Sequence, residues 1–222
     1  MALKSNLSIL TISFIFILVT TSLPSGPVQA LDRDMVRLPV LEAFISQVKN
    51  GEPEELRGVY VPGVLAARVV QQPASRNNFV AFGQNVVTQF AQASRLGSTG
   101  LLAHNYLAGE SFSLLEYGQG FHLIYGDGRV STFMVTETLY YQALEPTNPL
   151  SEFVSLDNGG MQTASEVFAE VYNRPGRVIF QTCIAAEESS SWGRLFVIAE
   201  PYYNTKHSAP LTSMRLRWPR SK

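Results

Sequence analysis

Apolar residues recur along this chain in short bursts with two different periods. Leu41, Phe44, Ile45 and Val48 share one helical face within Leu38 to Asn50, and Asn50-Gly51 supplies the stop. Val59-Tyr60-Val61 and Val64 to Val70 read as two strands joined through Pro62-Gly63. Val86, Val87, Phe90 and Ala93 have helical spacing and predict a helix ending at Gly97, after which a strand runs from Gly100 to Asn105. One helical turn is expected over Phe112 to Gly118. Then come a strand at Phe121 to Tyr125, a Gly126-Asp127-Gly128 hairpin turn and a strand from Val130 to Thr138. Pro146 to Met161 reads as a Gly- and Pro-containing loop. Thr163-Ala164-Ser165-Glu166 has capping-box spacing and opens a helix through Tyr172, closed by Pro175-Gly176. Val178 to Thr182 and Leu195 to Ala199 are the last strands. Many short strands with isolated helices between them predict a mainly β protein, a closed or nearly closed barrel whose strand ends collect functional groups at one rim.

Residues 1–30 read as an address rather than as structure. Lys4 precedes an apolar run from Leu7 to Leu23, Pro24 and Gly26 break it, and Val28-Gln29-Ala30 has the small-residue pattern of a signal-peptidase site. Cleavage after Ala30 is the preferred expectation. A run of about 17 residues is also at the lower edge of what spans a bilayer, so an uncleaved anchor is the alternative. Either outcome makes the protein extracytoplasmic, secreted or held at the outer face of the cytoplasmic membrane. The division expected is a leader or anchor at 1–30, a helical lead-in at 31–55, a catalytic barrel at 56–200 and a tail at 201–222.

Composition narrows the function classes. A net charge of −1 over 222 residues provides no basic field for nucleic acid, and thirteen Phe with nine Tyr supply core material without disulfides. Arg215, Arg217, Arg220 and Lys222 form a basic patch that reads as a solvated tail. One Cys and three scattered His have no metal-ligand spacing, and no phosphate-cradling glycine motif occurs, so neither metal nor cofactor is expected.

The single cysteine carries the sharpest signal. Cys183 closes the apolar run Val178-Ile179-Phe180-Gln181-Thr182, and the polar segment Glu187 to Ser191 follows. With no partner in an exported chain, it is either a small buried hydrophobe or a free reactive thiol. A thiol acts as a nucleophile through its thiolate, which needs a nearby cation or base, and acyl transfer also needs donors for the oxyanion. His104 ends the apolar run Gly100-Leu101-Leu102-Ala103 and is the candidate base. His122 is explained by strand alternation as a surface position, and His207 lies in the irregular tail. Arg194 opens the last strand. Its alternative is a surface salt bridge with Glu187 or Glu188. Asn105 is a weak candidate for orienting the imidazole, because adjacent strand residues point to opposite faces.

At these residues the chain resembles the sortase family of extracytoplasmic cysteine transpeptidases. The family pattern is an apolar strand closing on His, a short Phe-containing turn, a strand ending in Thr-Cys and an Arg opening the last strand. Here these are Leu101-Leu102-Ala103-His104, Phe112-Ser113-Leu114-Leu115, Phe180-Gln181-Thr182-Cys183 and Arg194-Leu195-Phe196-Val197, in that order. Val59 to Val64 is similar to the first barrel strand, so the resemblance runs from Leu56 to Glu200.

It implies a sortase-like closed β-barrel of about eight strands with short helices in the connections. Cys183 would attack a backbone carbonyl in the C-terminal sorting signal of an exported protein, and the acyl group would pass to an amine acceptor, a cell-wall peptide or another protein. His104 would protonate the departing amine and later take a proton from the incoming one. Arg194 would orient the peptide and stabilise the oxyanion, Thr182 would shape the pocket, and Trp192 would roof the groove or anchor its loop. In sortases the connection corresponding to Pro146 to Met161 lines the peptide groove. Two other readings fit the residues: a cysteine hydrolase on the same barrel, and a secreted binding module in which Cys183 only packs.

Overall fold

The computed structural model describes residues 38–186 and 189–203. The expected leader, residues 31–37, the Glu187-Glu188 pair and the basic tail with His207 lie outside them. Among the described residues no helix is long and apolar enough to cross a membrane.

Fourteen elements follow one another, with α1 at Leu41–Val48, β1 at Leu56–Val61, β2 at Leu65–Gln71, β3 at Val86–Phe90, α2 at Ala91–Arg95 and β4 at Thr99–Leu102. A 3-10 helix at Ala108–Leu114 precedes β5 at Gly120–Tyr125, β6 at Val130–Ala143, β7 at Phe153–Ser155 and β8 at Met161–Gln162. The last elements among the described residues are α3 at Ala164–Tyr172, β9 at Val178–Ala186 and β10 at Ser189–Pro201.

The strands close on themselves. The order β10-β9-β4-β3-β2-β1-β5-β6 is completed by pairing of β10 with β6, giving an eight-stranded mixed barrel. Strands β7 and β8 continue outward from β6. Two pairs are parallel, β2 with β3 and β4 with β9. Closure removes the sheet edges on which a small β protein would otherwise aggregate.

Period-two alternation sends one set of side chains inward. Val59, Val61, Leu101, Phe112, Phe121, Phe180, Leu195 and Val197 belong to the barrel core, where Phe180 meets the rings of Phe112 and Phe121 edge-on at 5.1 and 5.0 Å. The opposite faces of β9 and β10 carry Ile179, Phe196 and Ile198 outward into a second apolar layer with Tyr141, Val167, Val171 and Tyr172. Helix α3 covers that layer. Its capping box is complete: Thr163 Oγ1 accepts from the Glu166 backbone N–H, and the Glu166 carboxylate accepts from the Thr163 N–H. On the other side of the barrel, Phe44 and Val48 of α1 pack on Ala66 and Ile124.

Three departures from the sequence reading have physical causes. The helix expected from Val86 to Gly97 is strand as far as Phe90, and only Ala91–Arg95 is helical. Val86 and Val87 are β-branched, and register with Arg68 and Val69 on β2 decides the matter. The loop expected at Pro146 to Met161 contains β7 and starts β8. Finally, β9 does not stop at Cys183 but runs to Ala186, and β10 begins at Ser189, so Ser189 to Ser191 are strand rather than irregular chain.

Candidate functional site

Cys183 and Arg194 lie on neighbouring strands, and His104 lies two residues beyond the end of β4, outside the strand expected to reach Asn105. Cys183 of β9 is the direct partner of Arg194 on β10, and directly opposed residues project to the same face. On the other flank Leu102 of β4 pairs with Gln181. The Ala103 N–H continues that ladder by donating to the Gln181 carbonyl at 3.2 Å. His104 is the next residue, two positions beyond the end of β4. Parity agrees on all three strands. Leu101, Ala103, Phe180 and Leu195 face the barrel core, so Leu102, Gln181, Cys183 and Arg194 face outward. The structure thus puts Cys183 and Arg194 side by side on one face of β9 and β10, with His104 just beyond the end of β4, the strand on the other flank of β9.

These residues are fixed by hydrogen bonds and rings. Thr182, buried on the barrel side, donates from Oγ1 to the Ala103 carbonyl at 2.9 Å, which ties the thiol strand to the segment that carries the histidine. Beyond β4 the chain turns at once, the His104 carbonyl accepting from the N–H groups of Leu107 and Gly109, both at 3.0 Å. Gly109 is required there: a Cβ would lie 2.4 Å from Thr182 Oγ1 and 2.6 Å from the His104 carbonyl oxygen. Arg194 donates through Nη1 to the carbonyls of Ser191 and Gly193, both at 2.9 Å, and its guanidinium carbon stands 5.8 Å from the centre of the Phe153 ring. Cys183 is a free, half-buried thiol.

A groove of about 470 Å³ has Arg194 and Gln181 in its wall. Leu102, Phe153, Val167, Phe168, Gln181 and Arg194 are among its walls. Its lining is apolar with scattered amides and includes one cation, a surface suited to an extended uncharged peptide. Tyr172, also in the wall, donates to Oε1 of Gln181. Burial pushes its phenol well above the ordinary tyrosine range.

Several sequence-predicted residues occupy other roles. Thr182 bonds to the Ala103 carbonyl and is also in the wall of the cavity that contains Cys183. Trp192 is half-buried in the irregular stretch of β10 between Ser189 and Gly193, and it lines neither this groove nor the cavity that contains Cys183. Asn105 does not orient the imidazole: its Nδ2 donates to the Ser190 carbonyl at 2.9 Å, clamping the chain after β4 to the start of β10. His122 is half-buried, 3.1 Å from Thr132 Oγ1 and stacked on Tyr60, and its pKa is lowered by burial. Among the described residues no cluster of His, Cys, Asp and Glu could hold a metal ion.

Sequence reading missed the aromatic setting of His104. Tyr106 stacks on the imidazole with ring centres 5.4 Å apart and planes at 23°. Phe82, from the β2–β3 connection, lies 6.4 Å from both rings.

No protein-family model matches the chain, and no curated protein matches it. Solved structures similar to it are sortases. Sortase A of Listeria monocytogenes is 16% identical over 67% of this chain and 88% of that one, with a TM-score of 0.43. Sortase C-1 of Actinomyces oris is 14% identical over 75% and 83%, at 0.46. Sortase C1 of Streptococcus suis is 16% identical over 77% and 99%, at 0.45.

Proposed function

We propose that the protein is a sortase-like cysteine transpeptidase acting outside the cytoplasm, with Cys183 as nucleophile, His104 as general acid and base, and Arg194 as the oxyanion and peptide donor. The observation that supports the reading is the pairing of Cys183 with Arg194 on one face of β9 and β10, with His104 just beyond the end of the neighbouring β4 and an apolar groove beside Arg194. A thiol that merely filled space would have no reason to share its face with a fixed cation.

The chemistry divides into two halves. Cys183 sulfur attacks the scissile carbonyl as thiolate, and negative charge collects on the carbonyl oxygen, where the guanidinium N–H groups of Arg194 are the available donors. The C–N bond breaks as the imidazolium of His104 protonates the leaving nitrogen, so the product does not depart as an amide anion. The acyl group is left on sulfur. An incoming amine then attacks the thioester, His104 takes a proton from it, and Cys183 leaves as thiolate. The donor would be an exported protein whose sorting signal lies along the groove.

Acylation by an activated aryl thioester of a short peptide tests this reading. The expected result is one acyl adduct on the peptide containing Cys183, found by mass spectrometry, formed in a pH-dependent way and absent from Cys183→Ala. Folded protein whose thiol stays unreactive would return Cys183 to packing.

A further inference from the structure

Two amides in the groove wall, Gln72 and Gln181, differ in what they leave to be bonded. Gln72 is spent inside the fold. Its Nε2 donates to the Asn77 and Phe79 carbonyls at 3.0 and 3.1 Å, and its Oε1 accepts from the Ala91 N–H at 3.1 Å. At Gln181 only the oxygen is taken, by the hydroxyl of the buried Tyr172 on α3. Among the described residues no acceptor meets its Nε2. That nitrogen is open to the groove, because no buried polar side-chain atom among the described residues lacks a partner.

Register places this donor between apolar neighbours. Gln181 is flanked by Leu102 of β4 and Phe196 of β10, and both stand in the same wall. A peptide that covers the amide strips its water, and the donor must then find an acceptor on that peptide or go unpaired. Gln181 also precedes Cys183 by two residues on one face of β9, about 6.7 Å along the strand. An extended peptide covers about that length in two residues.

We propose that Gln181 determines specificity in this groove by selecting an acyl donor with a carboxamide side chain, Asn or Gln, about two residues before the scissile carbonyl. The side-chain oxygen of that residue accepts from Gln181 Nε2. The inference rests on the reading of Cys183 as an acyl-transfer thiol. Tyr172 is a positioning residue: its hydroxyl holds the amide oxygen and so turns the nitrogen to the groove. Leucine has the shape of asparagine but would leave the donor unpaired between Leu102 and Phe196. A carboxylate would compete with the reacting carbonyl for Arg194, whereas a carboxamide supplies the acceptor without the charge.

The test compares isosteres. Acetylated polyalanine aryl thioesters carry Asn or Leu at one of the three positions before the residue with the reacting carbonyl, and acylation of the full chain is timed by mass spectrometry. The same sequences as methyl amides are titrated against Cys183→Ala to give Kd. Asn should be preferred over Leu about fivefold at one of these positions in both readouts, the size of one hydrogen bond of about 1 kcal/mol. Gln181→Met combined with Tyr172→Phe removes the donor and its buried partner together, so that no hydroxyl is orphaned. In that double variant the preference should reverse in favour of Leu. The comparison in the parent sequence needs neither change, so it decides even if the double variant fails to fold. Equal Kd values for Asn and Leu at every position, an absence of binding, or an Asn preference that survives the double variant would overturn the subsite. Thioesters that leave the parent unacylated would instead overturn the acyl-transfer reading, with the Kd ratio still deciding the subsite.

Discussion

Cys183 and Arg194 are direct partners across the β9–β10 ladder, so thiol and guanidinium leave the sheet on the same face. The guanidinium is held by two backbone carbonyls and lies over the Phe153 ring, an arrangement that depends on its planar fork of donors. Arg194→Lys keeps the charge and loses the fork. Loss of one oxyanion donor costs about 3 kcal/mol, on the order of a hundredfold in rate. Turnover of an accepted donor should fall by that much in Arg194→Lys, with the melting temperature unchanged. Activity within about threefold of the parent would assign Arg194 to the surface.

Tyr106 stacks on the His104 imidazole. A flat stack with ring centres at 5.4 Å is worth about 0.5–1.5 kcal/mol beyond its buried area. Tyr106→Ala frees the imidazole to rotate and should lower acyl transfer up to about tenfold. Tyr106→Phe preserves the ring face and should retain nearly full activity. Single-turnover rates of the two variants separate stacking from any role of the phenol oxygen: equal losses in both would locate the effect in the hydroxyl group.

How much was legible depended on how local each signal is. The α3 cap and apolar face lie within ten residues of sequence, so Thr163 to Tyr172 could be read directly. The hairpin at Gly126 to Gly128 was equally local, Gly128 adopting a φ of +90°. Val86 and Val87 could not be placed, because their spacing also fits a helix and their strand identity comes from parallel pairing with β2. The extension of β9 past Cys183 arises the same way, since Ile184 gains Gly193 as its partner. At the site, the order His104, Cys183, Arg194 was visible along the chain, but the common face of Cys183 and Arg194 follows from register between strands. Asn105 reaches Ser190, eighty-five positions away, and no local pattern contains that bond.

Gly109 links the histidine segment to the thiol strand by its lack of a side chain. In Gly109→Ala the new methyl would meet Thr182 Oγ1 at 2.4 Å and the backbone oxygens of His104 and Ala103 at 2.6 and 2.9 Å. Two of these atoms are backbone, so relief requires the 3-10 helix to move off β9. Overpacking of this kind costs about 1–3 kcal/mol. Chemical denaturation should report a loss in that range, and acyl transfer should fall further than the population of folded protein explains. A variant with parental stability and activity would mean that the turn at His104 yields freely.

His122 should make the fold sensitive to mild acid. Burial lowers its pKa below the ordinary histidine value of 6.5, between the Tyr60 ring and the Thr132 hydroxyl. The unfolded chain therefore binds this proton more readily than the native protein does. Stability is whole above about pH 6.5 and declines as pH falls from there toward the lower native pKa. Glu55 and Glu166 act in a separate window. Hydrogen bonds from Asn50 and from the Thr163 backbone hold their carboxyls below the ordinary 4.5, so their contributions are lost only below about that pH. Urea unfolding at pH 7, 6 and 5 should show a falling midpoint for the parent. The fall should be smaller for His122→Gln, which keeps a polar partner for Thr132 and cannot charge. An identical pH slope in the two proteins would assign the acid sensitivity to another group.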